Sequence, residues 1–585
     1  MTKSLPRAIV LAVLLATLVP LSGARAVQIT FQVRMSEQIL QGHFDPAADS
    51  VDIAGTFNDW GNDSPTPLSD ADGDSLYEVV IGGFATGQAI EYKYRINEQW
   101  DGTEEFPGVG FNRHYTVQEG QNVVTVWYND FEPGDGEVEI GPTHWWNDTV
   151  FYEIFVRSFQ DSDGDGIGDF PGLTSRLDYL NDGDPATDTD LGVTGIWLMP
   201  INDSPSYHGY DAVDYESINP DYGTMADFEA FLAAAHARGI KVIIDYVMNH
   251  CSSQHPWFEA SEDGDLTYRD YFRWSTTDPD QTGPWGQQVW HWNNNNWFYG
   301  LFWSGMPDLN YETPAVKTAM FNSATFWLDT VGVDGFRLDA VLYIHEDGDQ
   351  LQNTQATFDF WHDYNQHVKS VKPDVFSVGE AWTGSNTVVN YVTDDRLDIC
   401  FEFDLSYAMV GAANDGNADW LRNKADQVYN LYPYLQYAPF LTNHDQDRSF
   451  TVFGEDQAKA KVAAGIYLAM PGVPFMYYGE EIGMTGSGAH ENIRTPMQWT
   501  AGSGAGFTTG LPWYAINPDY PQYNVAVEEA DSGSLLNWYK QLIRVRNQIP
   551  VLRRGTFASL NSSVSPVMAF VRRDSTETVL CLANT

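Results

Sequence analysis

From residue 145 onward, apolar runs of strand length alternate with helix-length amphipathic stretches: VFYEIFV, GIWLMP, KVIIDYV, GFRLDA, FSVGEA, DICFEFD, APFLTNH and PFMYYGEE. A run that is apolar at both alternating sets of positions is a strand covered on both faces, as in a parallel sheet with crossover helices. Eight such units fit a closed ring better than an open doubly wound sheet, so the pattern predicts an α/β fold, a (β/α)8 TIM barrel. About sixty residues rich in Trp, Asn and Asp separate the third run from the next helix. They are too many for an ordinary loop and predict a subdomain inserted after strand three, at about 251–312.

The flanks follow a different pattern. Between residues 27 and 130 the short runs ITFQVRM, SVDIAG, LYEVVIGGF, AIEYKYRI and VVTVWY are separated by Gly, Asn, Asp and Pro, which predicts a β-sandwich. The Gly-, Pro- and acid-rich FEPGDGEVEIGPT, 131–143, is expected to be a linker, and the barrel is expected to occupy 144–545. Residues 546–585 carry GTFASL, VMAFVRR and TVLCLANT, expected to be the start of an incomplete C-terminal all-β domain. Residues 1–26 combine Lys3 and Arg7, an apolar stretch and a small-residue A-x-A site, the pattern of a cleaved Sec-type signal peptide. The mature protein is therefore expected to be secreted.

Charge narrows the partners. Acidic residues outnumber basic ones 80 to 31 over 585 residues, a formal charge of −49, so nucleic acid and anionic membrane faces would be repelled. A hydrophobic content of 43% is far above that of a disordered acidic chain. The apolar stretch of the leader is too short for a spanning helix, and no later segment reaches the roughly 20 apolar residues that one needs. Three cysteines, Cys251, Cys400 and Cys581, are not a disulfide framework and are expected to be small buried hydrophobes. A monomer is expected.

In a βα barrel the C-terminal strand ends converge on one mouth, which draws attention to the polar residues closing these runs. They are Asp245, Asn249 and His250 after run three, Arg337 and Asp339 on run four, Glu380 ending run five, and His444 with Asp445 ending run seven. Arg337 and Asp339 lie two apart and point the same way; a guanidinium beside a carboxylate favours its ionised form, which suits Asp339 to be a nucleophile. Glu380 sits in VGEAW among apolar neighbours and Trp382, surroundings that raise a carboxyl pKa and suit a general acid. Two carboxyls in opposed protonation states are what glycoside hydrolysis requires.

These segments also carry a resemblance. GFRLDA, VGEAW, LTNHDQD and DYVMNH resemble the four signature regions of the α-amylase family, glycoside hydrolase family 13, and TGIWLMP, MPDLN and GVPFMYYGEE resemble its auxiliary regions. MPDLN with WWNDTVFYEIFVRSFQDSDGDGIGDF is similar to an intermediate group between oligo-1,6-glucosidases and neopullulanases. The resemblance implies that Asp339 is the nucleophile, Glu380 the acid/base and Asp445 the transition-state stabiliser. It also implies that Tyr210, Asp245, His250, Arg337 and His444, with Trp382, surround the sugar. Family members cleaving α-1,6 bonds often carry Val after the nucleophile, so Ala340 favours α-1,4 cleavage; Leu342 and Tyr343 replace the Lys-His pair of many α-amylases.

DSDGDGIGD offers Asp161, Asp163, Asp165 and Asp169 at alternating positions, with the carbonyl of Ile167, an oxygen set suited to Ca²⁺ and similar to a calcium loop of the family. The resemblance also implies a central calcium site using Asn249, although Asn310 stands where many amylases have an Asp. In the N-terminal module GTFNDWG, YKYRINEQW and FNRHYTV resemble starch-binding modules of the family 20 and family 48 type, with Trp60, Lys93 and Trp100 assigned to sugar contact; packing is the competing role for Trp60. The expected activity is endo-hydrolysis of starch-like α-1,4-glucans with retention. An exo-acting α-glucosidase or a neopullulanase- or transglycosylase-type enzyme is the alternative, and a non-catalytic carbohydrate-binding protein the remote one.

Overall fold

A computed structural model describes residues 27–128, apart from 36–37, 40–43, 63–64, 72, 101–103, 106–111 and 121, and residues 143–585, apart from 561–564. The expected signal peptide and all but the last residue of the expected linker lie outside the described residues. The chain divides into two compact units, Met1–Glu139 and Ile140–Thr585.

In the first unit, β1 (Val27–Arg34), β2 (Val51–Gly55), β3 (Leu76–Phe84), β4 (Ala89–Ile96), β5 (Arg113–Thr116) and β6 (Asn122–Trp127) form two three-stranded sheets, ordered β3-β1-β6 and β2-β4-β5. Strict alternation on β1 buries Val27, Ile29, Phe31 and Val33, which meet Ile53, Tyr92 and Tyr94 in a common core. Trp60 is half-buried on a turn with left-handed backbone (φ 55°), and Trp100 is 46% exposed; their ring centroids lie 6.2 Å apart with planes inclined at 59°. Lys93 departs from expectation. It is buried, 5% exposed, and does not share the 46% exposure of Trp100.

In the second unit, eight parallel strands make the ring: β7 (Phe151–Ile154), β8 (Gly195–Leu198), β9 (Lys241–Tyr246) and, beyond the inserted β10 (Trp274–Ser275), β11 (Trp290–Asn293) and β12 (Asn296–Tyr299), β13 (Gly335–Leu338), β14 (Phe376–Gly379), β15 (Ile399–Phe401), β16 (Tyr437–Ala438) and β17 (Phe475–Tyr477). Seven ladders join them in the order β16-β15-β14-β13-β9-β8-β7-β17. Two backbone bonds close the remaining seam, Val473 N–H to Tyr437 O at 3.0 Å and Phe475 N–H to Pro439 O at 3.1 Å. This is the expected (β/α)8 barrel, with the subdomain after strand three built on the sheet β10-β12-β11. Close strand approach needs Gly335, where a Cβ would meet the Phe376 carbonyl at 2.0 Å.

β18 (Thr556–Leu560), β19 (Val567–Arg573) and β20 (Thr578–Asn584) form the C-terminal antiparallel sheet. Arg572, fully buried, anchors it by donating to the carbonyls of Ala469, Leu552, Gly555 and Thr556. Among the described residues no helix is long and apolar enough to cross a membrane, and the three cysteines are free thiols.

Candidate active site

Alternation along the barrel strands decides which side chains reach the axis. Phe151, Trp197, Ile243, Phe376, Val378, Phe401 and Phe475 form one cluster inside the ring, whereas Tyr152, Ile196, Val242, Ile244 and Phe336 pack outward with helix residues such as Phe228 and Phe231. Continuing the inward set in steps of two leads from Phe151 to Glu153, from Ile243 to Asp245, from Gly335 through Arg337 to Asp339, and from Val378 to Glu380. The same pleat that fills the barrel with aromatics thus carries its acids to one end.

Arg337, 1% exposed, is the hub of the group. Its Nη1 donates to Asp245 at 3.0 and 2.9 Å and to Asp339 Oδ1 at 2.7 Å, and its Nη2 pairs with Glu380 Oε2 at 3.0 Å. Trp197 lies beneath it, with the guanidinium carbon 5.2 Å from the ring centroid. Immediately after Asp339, Ala340 adopts a left-handed backbone (φ 50°, ψ 41°), a strained conformation for a residue with a Cβ, at a cost of roughly 1–2 kcal/mol. That turn aims the Ala340 N–H at Glu380 Oε2, 3.1 Å away.

His444 links the opposite wall. Its Nδ1 meets Glu153 Oε1 at 2.5 Å, and its Nε2 lies 2.6 Å from Tyr210 Oη and 3.2 Å from Asp445 Oδ2. Tyr210 in turn donates to Asp245 Oδ2 at 3.1 Å. Burial alone would lower the pKa of His444, but the carboxylates of Asp445 and Glu153 outweigh it and push it up to about 9. An imidazolium satisfies this geometry, because both ring nitrogens then donate. Burial opposes ionisation of Asp445, yet His444 and then Arg494 hold its carboxyl well below the usual range; Arg494 Nη2 donates to Asp445 Oδ1 at 2.7 Å. Glu380 is shifted the other way. Burial, opposed by Arg337 and reinforced by Asp339 and Asp445, raises its carboxyl to about 8. Glu380 therefore holds its proton near neutral pH while Asp445 is ionised, the division of labour that acid-assisted cleavage needs.

These groups line a cleft of about 720 Å³. Asp339, Glu380, Asp445, Tyr210, His250 and Trp382 face it directly, while Asp245, Arg337 and His444 stand behind them. Trp382 is 41% exposed, stacked on Phe403 at 4.6 Å. His250 is held through Nε2 and the Tyr210 carbonyl at 3.1 Å. Asn249 donates to Asp308 Oδ2 at 2.9 Å, whereas the Asn310 amide donates to the Asp270 carbonyl, so Asp308 and not Asn310 is the partner of Asn249. Tyr343 packs against Trp285 and Phe302, at 5.7 and 6.0 Å, in the cleft wall.

Sequence reasoning passed over Glu153, Arg494 and His490. Glu153 had a legible signal, a lone acid inside the apolar run VFYEIFV. Arg494 and His490 lie beyond the last strand, where no strand period marks them, and reach Asp445 at 2.7 and 3.6 Å.

In the DSDGDGIGD loop, Asp161, Asp163 and Asp169 each offer an oxygen, all within 4.8 Å of one another, a spacing that fits an ion bound at the 2.3–2.6 Å of Ca²⁺. Gly166 (φ +96°) permits the turn, since a Cβ there would lie 1.8 Å from the Leu511 carbonyl. Asp165 stands on the same loop, where its exposed carboxylate accepts from Ile167 N–H at 2.8 Å. Asp169 also caps the helix Phe170–Ser175 through Gly172 N–H at 2.6 Å.

A family model described as the alpha amylase catalytic domain matches residues 153–555. Alpha-amylase 3 of Dictyoglomus thermophilum is 39% identical over 449 residues, covering 75% of this chain and 85% of that protein. The probable oligo-1,6-glucosidase 2 of Bacillus subtilis is 33% identical over 526 residues, covering 76% and 91%. Among solved structures, the α-amylase from H. orenii superposes with a TM-score of 0.69 at 47% identity, covering 74% of this chain and 88% of that one. The chain therefore belongs to the α-amylase family, glycoside hydrolase family 13.

Proposed function

We propose that this protein is a secreted, endo-acting α-amylase that hydrolyses α-1,4-glucosidic bonds of starch-like glucans with retention. The observation that carries the reading is the sharing of one buried guanidinium by Asp339 and Glu380, the acid with its pKa raised to about 8. Asp339 attacks the anomeric carbon while Glu380 gives its proton to the departing glycosidic oxygen, leaving a glycosyl ester on Asp339. Glu380, now ionised, takes a proton from water, whose oxygen attacks the same carbon and releases Asp339. Asp445, fixed by Arg494 and His444, hydrogen-bonds sugar hydroxyls as the ring flattens.

The 39% identity to an α-amylase and the small Ala340 favour α-1,4 cleavage. The 33% identity to a probable oligo-1,6-glucosidase supports a second reading, an exo-acting α-glucosidase or a neopullulanase- or transglycosylase-type enzyme on the same barrel. A digestion time course with amylose, pullulan and maltotriose separates them. Mixed oligosaccharides are expected early from amylose; glucose as the sole early product, or pullulan cleaved faster than amylose, would overturn the endo-amylase reading.

The same reading assigns Ca²⁺ to Asp161, Asp163, Asp165 and Asp169 with the Ile167 carbonyl, as a structural ion in the loop after β7, apart from the acids that end β13 and β14 and the one after β16. It would neutralise carboxylates that repel one another, and binding to the folded state alone stabilises that state. Chelation is expected to lower the melting temperature, and Asp163→Ala to reproduce the loss, with low-temperature turnover retained. Turnover abolished by chelation in a still-folded protein would contradict a structural ion. In the N-terminal module, Trp60 and Trp100 are assigned to contact with starch.

A further inference from the structure

Away from the cleft, two tryptophans face each other on one hairpin of the inserted subdomain. β11 and β12 pair with Trp292 opposite Trp297, ring centroids 5.6 Å apart and planes inclined at 65°. Trp297 is half-buried, but Trp292 is 58% exposed. A cross-strand aromatic pair does help hold a hairpin together. This hairpin is already anchored by Phe298 and Tyr299, both buried in the core, so packing leaves the outer indole unexplained.

We infer that Trp292 and Trp297 form a second α-glucan platform, outside the cleft, that holds a neighbouring stretch of the polymer being cleaved. The inference rests on the α-glucan reading above and adds a site to it. Flat indoles cover the apolar faces of glucose rings, and two inclined planes suit a chain whose α-linkages turn each residue relative to the last. The pair repeats the arrangement of Trp60 and Trp100, 6.2 Å and 59°, reached on an unrelated turn in the other unit. The turn Asn293–Asn296 that joins the two strands is uncharged, and a chain of −49 net charge does not repel a neutral polymer. The hairpin also continues the cleft wall. Trp285 before β11 and Phe302 after β12 both line the cleft with rings 5.6 Å apart, and Trp297 lies five residues from Phe302, a reach of no more than about 18 Å. One glucan can therefore occupy both places, each raising the effective concentration at the other.

The test uses the full chain carrying Asp339→Asn, so that polymer is bound but not consumed, in electrophoresis through gels containing amylopectin. Adding Trp292→Leu is expected to weaken retention about tenfold, and Trp292→Tyr, which keeps a ring, to restore most of it. A second measurement does not depend on how the variant folds: oxidation of Trp292 by N-bromosuccinimide in the otherwise unaltered Asp339→Asn chain, followed by peptide mass spectrometry, is expected to slow severalfold with amylopectin. Unchanged retention in a folded Trp292→Leu chain, or an oxidation rate that amylopectin does not alter, overturns the platform. Failure of the underlying reading looks different, since the unmodified chain would then leave amylose uncleaved.

Discussion

Asp339→Asn is expected to lower turnover on amylose by at least about 10⁴-fold without unfolding the protein. The substitution keeps the volume of the side chain and an oxygen for Arg337 Nη1, now 2.7 Å from Asp339 Oδ1, but removes the charge that attacks the anomeric carbon. Residual catalysis would come from Glu380 and Asp445 polarising an unattacked bond. Circular dichroism and the melting temperature provide the control for folding, and initial rates from reducing-sugar release give the readout. A loss of less than tenfold would remove Asp339 from the nucleophile's place, because no other inward-facing acid of β13 could take it over.

Arg337→Met is expected to act on stability as strongly as on rate. One guanidinium, 1% exposed, holds Asp245, Asp339 and Glu380 together. Removing it leaves several carboxyls in a buried site without their cation, a change that typically costs about 3–5 kcal/mol. The urea midpoint of the catalytic unit should fall accordingly, and the protein that remains folded should bind protons at the site instead. An unfolding free energy within about 1 kcal/mol of the parent would mean that the acids are held by their other partners, Tyr210 for Asp245 and the Ala340 N–H for Glu380.

The barrel and its reacting acids were legible for the same physical reason. In β9, β13 and β14 the inward set of a two-residue period is continued straight into Asp245, Asp339 and Glu380, so finding the strands found the acids. Contacts across the ring were not legible. Glu153 and His444 are 291 positions apart and Asp445 and Arg494 are 49 apart, distances over which neither propensity nor period carries information. Lys93 was assigned to sugar contact from the resemblance alone, whereas it lies buried on β4, 5% exposed.

The ring is held by seven strand ladders and one seam of two backbone bonds, between β16 and β17. Side chains of the cleft cross that seam. His444 and Asp445 follow β16 on one side, while Glu153 on β7 and Arg494 beyond β17 reach them from the other, at 2.5 and 2.7 Å. The groups that prepare Asp445 for the sugar are thus also a clasp on that seam of the scaffold. Natural variation at these positions cannot retune the chemistry without also loosening or tightening the closure of the barrel, which restricts the routes by which this chain can exchange one specificity for another.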